Sequence, residues 1–263
     1  MVEESARILV IACGALAREI VALKKAGGWV HVDVQCLPPE LHNRPERIPA
    51  AVQAAIVAAR ELYPRIFVAY ADCGTGGRLD KVLAEQQVER LPGAHCYEFF
   101  ATAPRFAALA DAAPGTFYLT DFLVRHFERL FVEGLGLDRH PELAADYLRH
   151  YTRMVYLVQA RDPELMHQAR AIAGRYGLEY EELNTGYGEL ETGLQRWAEA
   201  PDRAQGRGQQ SSERGVQQLR EHSMGQLRQD GAQQPRDCAG RQPHEHGIRQ
   251  PHEHSLEPLP WRR

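Results

Sequence analysis

Four cysteines close to the predicted ends of strands are the residues of this chain best suited to chemistry. Each ends, follows or lies within a short apolar run of the kind that forms a buried strand. The carboxyl ends of parallel strands meet at one edge of a sheet, where open α/β folds place their ligands. Thiols far apart in the chain can therefore share a site. The four are Cys13, Cys36, Cys73 and Cys96.

Zinc or an iron–sulfur cluster is the cofactor that such a set of thiols predicts. Either needs three or four soft ligands, and no two of these cysteines have CxxC spacing, so the fold must assemble the site. Four adjacent strands span roughly 15 Å, which is too wide for one ion. We therefore expect three ligands, Cys13, Cys73 and Cys96, with Cys36 or His42 as a fourth candidate. The alternative is that these cysteines are small buried residues without a ligand role.

A glycine-rich turn, Asp72-Cys73-Gly74-Thr75-Gly76-Gly77, joins an apolar run to a stretch with helical spacing. Free N–H groups and the positive end of the helix dipole should favour an anion there and should lower the pKa of Cys73. The turn matches neither the P-loop nor GxGxxG, so it gives little support to a nucleotide. Asp72 is a candidate for orienting a ligand or for capping the helix. The predicted positions for a phosphate or carboxylate are Gly74, Thr75, Gly76 and Gly77.

Two further residues are candidates for moving protons. His42 lies in a proline-rich segment, residues 36–49, which predicts a rigid loop beside the site. Glu98 follows Cys96 by two positions, and in the strand predicted for residues 94–98 these two side chains share one face. Glu98 is therefore the predicted base or ligand.

Apolar runs that alternate with stretches of helical spacing predict a doubly wound, Rossmann-like α/β fold with a mostly parallel sheet and helices on both faces. We expect a single α/β domain over residues 1–197. Residues 198–263 are rich in Gln, Arg, Gly, Ser and His, which predicts a low-complexity, disordered tail. A frame-shifted or replaced C-terminus would also give such an abrupt change. The predicted strands are 7–12, 30–35, 66–71, 94–98, 116–120, 154–158 and 178–183.

Composition argues against several classes of protein. The 263 residues are 44% hydrophobic and 25% charged with a net charge of -4, and no basic patch dominates the first 200, so we expect no nucleic-acid partner. The apolar run 8–17 is too short to cross a bilayer, and residues 1–5 lack the positive charge of a secretory signal. We therefore expect a cytoplasmic protein without a membrane partner. Reduced thiols in that compartment indicate a metal or catalysis rather than disulfides.

Four short segments carry a family resemblance, and they are Ala12-Cys13-Gly14-Ala15-Leu16, Cys36-Leu37-Pro38 with Leu41-His42-Asn43, Asp72-Cys73-Gly74-Thr75-Gly76-Gly77, and His95-Cys96-Tyr97-Glu98. Together they resemble the domain of unknown function 1638 family of bacteria and archaea. The resemblance covers about residues 7–191. Members tend to be encoded beside corrinoid-dependent methyltransferases of methylamine-type one-carbon metabolism, which implies a link to methyl transfer but no particular reaction and no catalytic residue. The tail departs from the family pattern.

Two main hypotheses follow. The first is a metal–thiolate site at the carboxyl edge of the sheet that acts on a small anionic or thiol ligand in corrinoid-linked one-carbon metabolism. A zinc-bound thiolate that activates a thiol or methyl acceptor, as in a metal–thiolate transferase, is one concrete version. The second is a non-catalytic accessory protein that binds a corrinoid protein or its methyltransferase, with a shallow pocket and packed cysteines. A metal-free phosphate-binding enzyme is a third alternative.

Overall fold

Seven parallel strands in two sheets form the framework of the described part of the chain, residues 7–200 of a computed structural model. The strands are β1 (Ile8–Cys13), β2 (Val32–Leu37), β3 (Arg65–Ala69), β4 (Glu89–Arg90), β5 (Thr116–Thr120), β6 (Arg153–Val158) and β7 (Glu179–Asn184). The first sheet has the order β2-β1-β3-β4 and the second the order β5-β6-β7. Every strand pair is parallel, which confirms the predicted α/β class.

Helices flank both sheets, as the alternating pattern predicts. Thr120 caps the sixth helix by accepting the N–H of Leu123, and Asp162 caps the eighth. Short 3-10 turns follow β1 and β2, and a π-helical turn spans Glu128–Glu133. The helices are α1 (Ala17–Ala26), α2 (Ile48–Ala59), α3 (Arg78–Gln86), α4 (Cys96–Ala101), α5 (Ala103–Ala112), α6 (Asp121–Arg125), α7 (Leu143–Leu148), α8 (Pro163–Arg175) and α9 (Gly188–Ala198).

The register of the first sheet places the ends of two cysteine-bearing segments side by side. All six residues of β1 are buried, as its unbroken apolar run predicts for a central parallel strand. Ala12 pairs with Cys36 of β2 on one side and with Ala69 of β3 on the other. Cys13 therefore ends β1 about 4.8 Å from the neighbouring strand that leads to Cys73.

Each sheet has its own apolar core, and α9 links the two parts of the chain. Although α9 follows the last strand of the second sheet, Leu190 and Leu194 are buried in the core of the first. Arg65, at the start of β3, donates to the carbonyl of Trp197 at 2.9 Å and lies over its ring at 4.9 Å. The end of the described chain is therefore anchored on the sheet where the chain begins.

Two predicted elements differ from the observed ones, and one observed helix was not predicted. The strand predicted for residues 94–98 is wrong: the fourth strand is Glu89–Arg90, and α4 begins at Cys96, because Phe99 and Phe100 bury one side of a helical turn. The proline-rich segment 36–49 contains two short 3-10 helices that begin at Pro39 and Pro45, where a missing N–H costs nothing. Helix α9 was not predicted.

The predicted tail falls almost entirely on residues 201–263, which lie outside the described part of the chain. Among residues 7–200, no helix combines the length and the apolar character that crossing a membrane requires.

Candidate functional site

A cavity of about 820 Å³ lies at the carboxyl ends of β1 and β3. Its walls come from the turns after β1, β2 and β3 and from α4 on one side, and from α5, β5, α6 and the π-helical turn on the other. His42, Cys73, His95 and Cys96 line it, and Cys13 contacts His42. The structure therefore brings the three cysteines chosen from the sequence, and His42, to one place.

Cys13 ends β1 with its thiol turned towards His42. The residue is 3% exposed, and its Sγ accepts the N–H of Ala15 at 3.3 Å and lies 3.7 Å from Nδ1 of His42. Burial raises the pKa of Cys13 to about 12, although the Ala15 N–H opposes that shift. At neutral pH this thiol keeps its proton unless a cation replaces it.

His42 lies in the 3-10 turn after β2 and has a defined tautomer. Its Nδ1 lies 3.1 Å from the carbonyl oxygen of Pro39, and because a carbonyl only accepts, Nδ1 carries the hydrogen in that bond. In the neutral ring, Nε2 is then the nitrogen with a free lone pair. Burial lowers the pKa of His42, but the neighbouring Cys73 and the Pro39 carbonyl outweigh it and raise the pKa above its usual value.

Cys73 lies in the turn after β3 with a left-handed backbone, φ 50°, and its N–H donates to the carbonyl of Ala94 at 2.9 Å. The expected lowering of its pKa is wrong. Burial raises the pKa of Cys73, and His42 only partly offsets the shift. The residue is 7% exposed, and the N–H groups that precede α3 are directed at Asp72 instead.

Asp72 caps the glycine turn. Its carboxylate accepts the N–H groups of Gly76 at 3.1 Å and Gly77 at 2.9 Å, and the hydroxyl of Thr75 at 2.5 Å. Partial burial raises the pKa of Asp72, but these hydrogen bonds outweigh it and hold the pKa below its usual value. Of the two roles foreseen for Asp72, the geometry matches capping. An anion bound at Gly74 to Gly77 would have to displace this carboxylate.

The change from strand to helix at Cys96 separates it from Glu98. Cys96 lines the cavity at the first turn of α4, and burial raises its pKa to about 12. Glu98 lies two positions on, about 200° around the helix, and its carboxylate oxygens are 3.3 Å from the N–H of Ala94. The predicted shared face of Cys96 and Glu98 is therefore wrong. His95 lines the cavity instead, stacked on Tyr97 at 5.7 Å, and burial lowers its pKa.

Cys36 does not line the cavity. It lies on β2, half-buried, and packs against the core of the first sheet. Of the two fourth-ligand candidates, His42 is the one that the fold brings to the other thiols.

Tyr70 is a site residue that the sequence reasoning missed. Its ring lies 6.2 Å from that of His42 and nearly parallel to it, and the thiols of Cys13 and Cys73 are close enough to raise its pKa further after burial. Its buried hydroxyl has no hydrogen-bond partner of good geometry among the described residues. The available signal was its position, as a polar tip in an apolar run two residues before Asp72.

In the described part of the chain, the cysteine thiols and the imidazole of His42 are not arranged to hold a metal ion. Within residues 7–200, no set of three or more His, Cys, Asp or Glu side chains has the geometry to hold a metal ion. The three thiols nevertheless lie close enough to shift one another's pKa, because Cys73 and Cys96 each respond to Cys13.

The fold and the cavity define a doubly wound α/β protein with an interior cavity that Cys73 and Cys96 line at one end. The chain belongs to the family described as "Protein of unknown function (DUF1638)", whose model matches residues 36–194, more than half of its length. Cys36, His42, Cys73 and Cys96 lie within the matched range, and Cys13 precedes it. No curated protein and no solved structure matches the chain.

Proposed function

We propose that this protein binds a soft metal, zinc or iron, at the thiol end of the cavity. The observation that carries the proposal is the convergence of Cys13, His42, Cys73 and Cys96 from four separate segments on one cavity end. Nothing in their sequence spacing brings them together. Thiolate and imidazole are the donors that zinc and iron–sulfur clusters use, and three or four of them suffice.

The tautomer of His42 supports this assignment. Histidines that bind metals through one ring nitrogen usually donate the other N–H to a carbonyl or carboxylate. Nδ1 of His42 has this partner in the carbonyl of Pro39, which leaves Nε2 as the donor atom.

Burial of the thiols supports a cation as their partner. The thiols of Cys13 and Cys96 are protonated at neutral pH, and metal binding would displace their protons and remove the cost of burying thiolates. The remaining cavity volume gives a bound metal room for a second ligand. A small thiol or methyl acceptor activated on the metal fits this arrangement, in a transferase role for corrinoid-linked one-carbon metabolism.

The accessory-protein alternative predicts a shallow pocket. A cavity of about 820 Å³ instead supports a protein that encloses a ligand, although a corrinoid protein or methyltransferase remains the proposed macromolecular partner in either role.

Metal titration tests the proposal. Anaerobically purified, chelator-stripped protein is titrated with zinc against a chromophoric indicator, and elemental analysis gives the metal content of protein as isolated. We expect one zinc per chain, with affinity at least about tenfold weaker in Cys73→Ser and His42→Ala, because each removes one ligand. His140→Ala, at an exposed histidine that does not line the cavity, is the control and should bind zinc like the wild type. Equal losses in all three variants, or no stoichiometric binding, would overturn the metal site.

A further inference from the structure

Aromatic and aliphatic side chains form the cavity wall beyond the thiols. Tyr97, Phe106 and Tyr118 are in mutual ring contact, with centroids 4.9 to 5.6 Å apart. Further along, Phe117 stands edge-on to Phe131 at 5.4 Å. These rings come from α4, α5, β5 and the π-helical turn, so flat apolar surfaces face the interior from several directions. Such walls suit a flat apolar ligand, which can stack or meet ring edges.

The same wall carries almost no charge. Among the described residues that line the cavity, none is Lys or Arg, and Asp111, an exposed residue, is the only carboxylate. Apart from the imidazoles of His42, His95 and His150, the lining offers an ionised ligand no opposite charge to replace its hydration. This composition disfavours the small anion expected from the glycine turn, and it favours a neutral molecule.

The outer edge of β5 supplies hydrogen-bonding groups without charge. β5 is a terminal strand of the second sheet, and all five of its residues line the cavity. A terminal strand leaves alternate backbone N–H and C=O groups unpaired on its outer side. A carbonyl or hydroxyl on the rim of a ligand could pair with these groups.

We propose that the cavity binds an uncharged small molecule with a flat aromatic body and hydrogen-bonding groups at its rim. The volume of about 820 Å³ lies in the range of about 300–1,000 Å³ that encloses a small organic ligand. This inference does not require the metal, because the aromatic walls and the β5 edge lie beyond the thiols.

Two dyes that share one ring system test the proposal that the cavity prefers an uncharged aromatic ligand. N-phenyl-1-naphthylamine is uncharged, and 1-anilinonaphthalene-8-sulfonate is the same molecule with a sulfonate. Fluorescence titrations are made with the full chain in the presence of a chelator. We expect saturable binding of one neutral dye per chain, with affinity at least about tenfold tighter than for the sulfonated dye. No saturable binding of the neutral dye, or equal affinities for the two, overturns the proposal.

A pair of variants on one helix locates the dye. Ala110 of α5 lines the cavity, and Ala108 of the same helix is exposed. Ala110→Trp should fill the cavity and weaken the neutral dye at least about tenfold, whereas Ala108→Trp should leave its affinity unchanged. Equal affinities in the two variants would overturn the assignment to this cavity. If Ala110→Trp does not fold, the affinities of the wild type for the two dyes still test whether the protein prefers the uncharged ligand. Because a chelator is present, loss of zinc binding leaves the dye result intact.

Discussion

The contact between α9 and α4 makes a quantitative prediction about two neighbouring glycines. Gly186 and Gly188 both have a left-handed backbone, with φ of +61° and +51°. A Cβ at Gly186 would meet nothing within 4 Å, whereas one at Gly188 would lie 2.5 Å from the carbonyl oxygen of Phe99 and would also overlap that of Phe100. The backbone strain is shared, so the difference between the two alanine variants isolates the overlap.

The magnitudes follow from these two costs. A left-handed non-glycine residue costs about 1–2 kcal/mol, which we expect for Gly186→Ala. Forcing an atom into a packed contact adds about 1–3 kcal/mol, so Gly188→Ala should lose about 2–5 kcal/mol of unfolding free energy. Urea denaturation followed by circular dichroism measures both variants. If the unfolding free energies of the two variants agree within about 0.5 kcal/mol, α9 does not pack against α4 as described. The statement that α9 supports α4, the helix that carries Cys96, would then be wrong.

Three further predictions concern charged and hydrogen-bonding groups. Asp72→Ala should lower the unfolding free energy by about 1–2 kcal/mol at pH 7. Because the pKa of Asp72 is lowered in the folded state, its stabilising contribution is present above the unfolded-state pKa and is lost as the pH falls through the folded-state pKa. The urea midpoints of the variant and the wild type should therefore converge in acid. Zinc affinity should rise about tenfold per pH unit for each proton released, up to pH 9 and beyond, because the pKa values of the Cys13 and Cys96 thiols are raised to about 12. Indicator titrations at several pH values measure this slope. An affinity that does not change with pH would contradict thiol ligation. Tyr156→Phe should cost about 1–3 kcal/mol in urea denaturation, because it removes the 2.7 Å hydrogen bond to the buried Asp121; a loss below about 0.5 kcal/mol would show that the bond contributes little.

Local pattern was enough to predict the strands that carry the site. The unbroken apolar runs before Cys13 and Cys73 specify buried parallel strands, and parallel strands bring their carboxyl ends to one edge whatever the strand order. That rule placed both thiols correctly. The rule failed for residues 94–98, because a run of five mixed residues fits a short strand or a helical turn equally well. The burial of Phe99 decided for the helix.

Other features of the site could not be predicted from local pattern. The aromatic wall depends on β5 and α5 packing opposite the first sheet, a long-range arrangement that periodicity does not encode. The raised pKa of Cys73 follows from its burial in the folded chain, which local pattern does not encode. The sequence also permits Asp72 either to cap α3 or to face a ligand. Helix α9 was missed because Gly186 and Gly188 indicate a turn, whereas the glycine at 188 permits close approach to α4.

The packing of α9 against the first sheet also affects the order in which parts of the chain can fold during synthesis. The ribosome makes β1 to β4 early, but Leu190, Leu194 and Ala198, which complete their core, come after the whole second sheet. Until those residues emerge, the nascent amino-terminal half exposes an apolar surface to chaperones and to other chains. A premature stop before residue 188 would thus leave two complete sheets and an uncovered core.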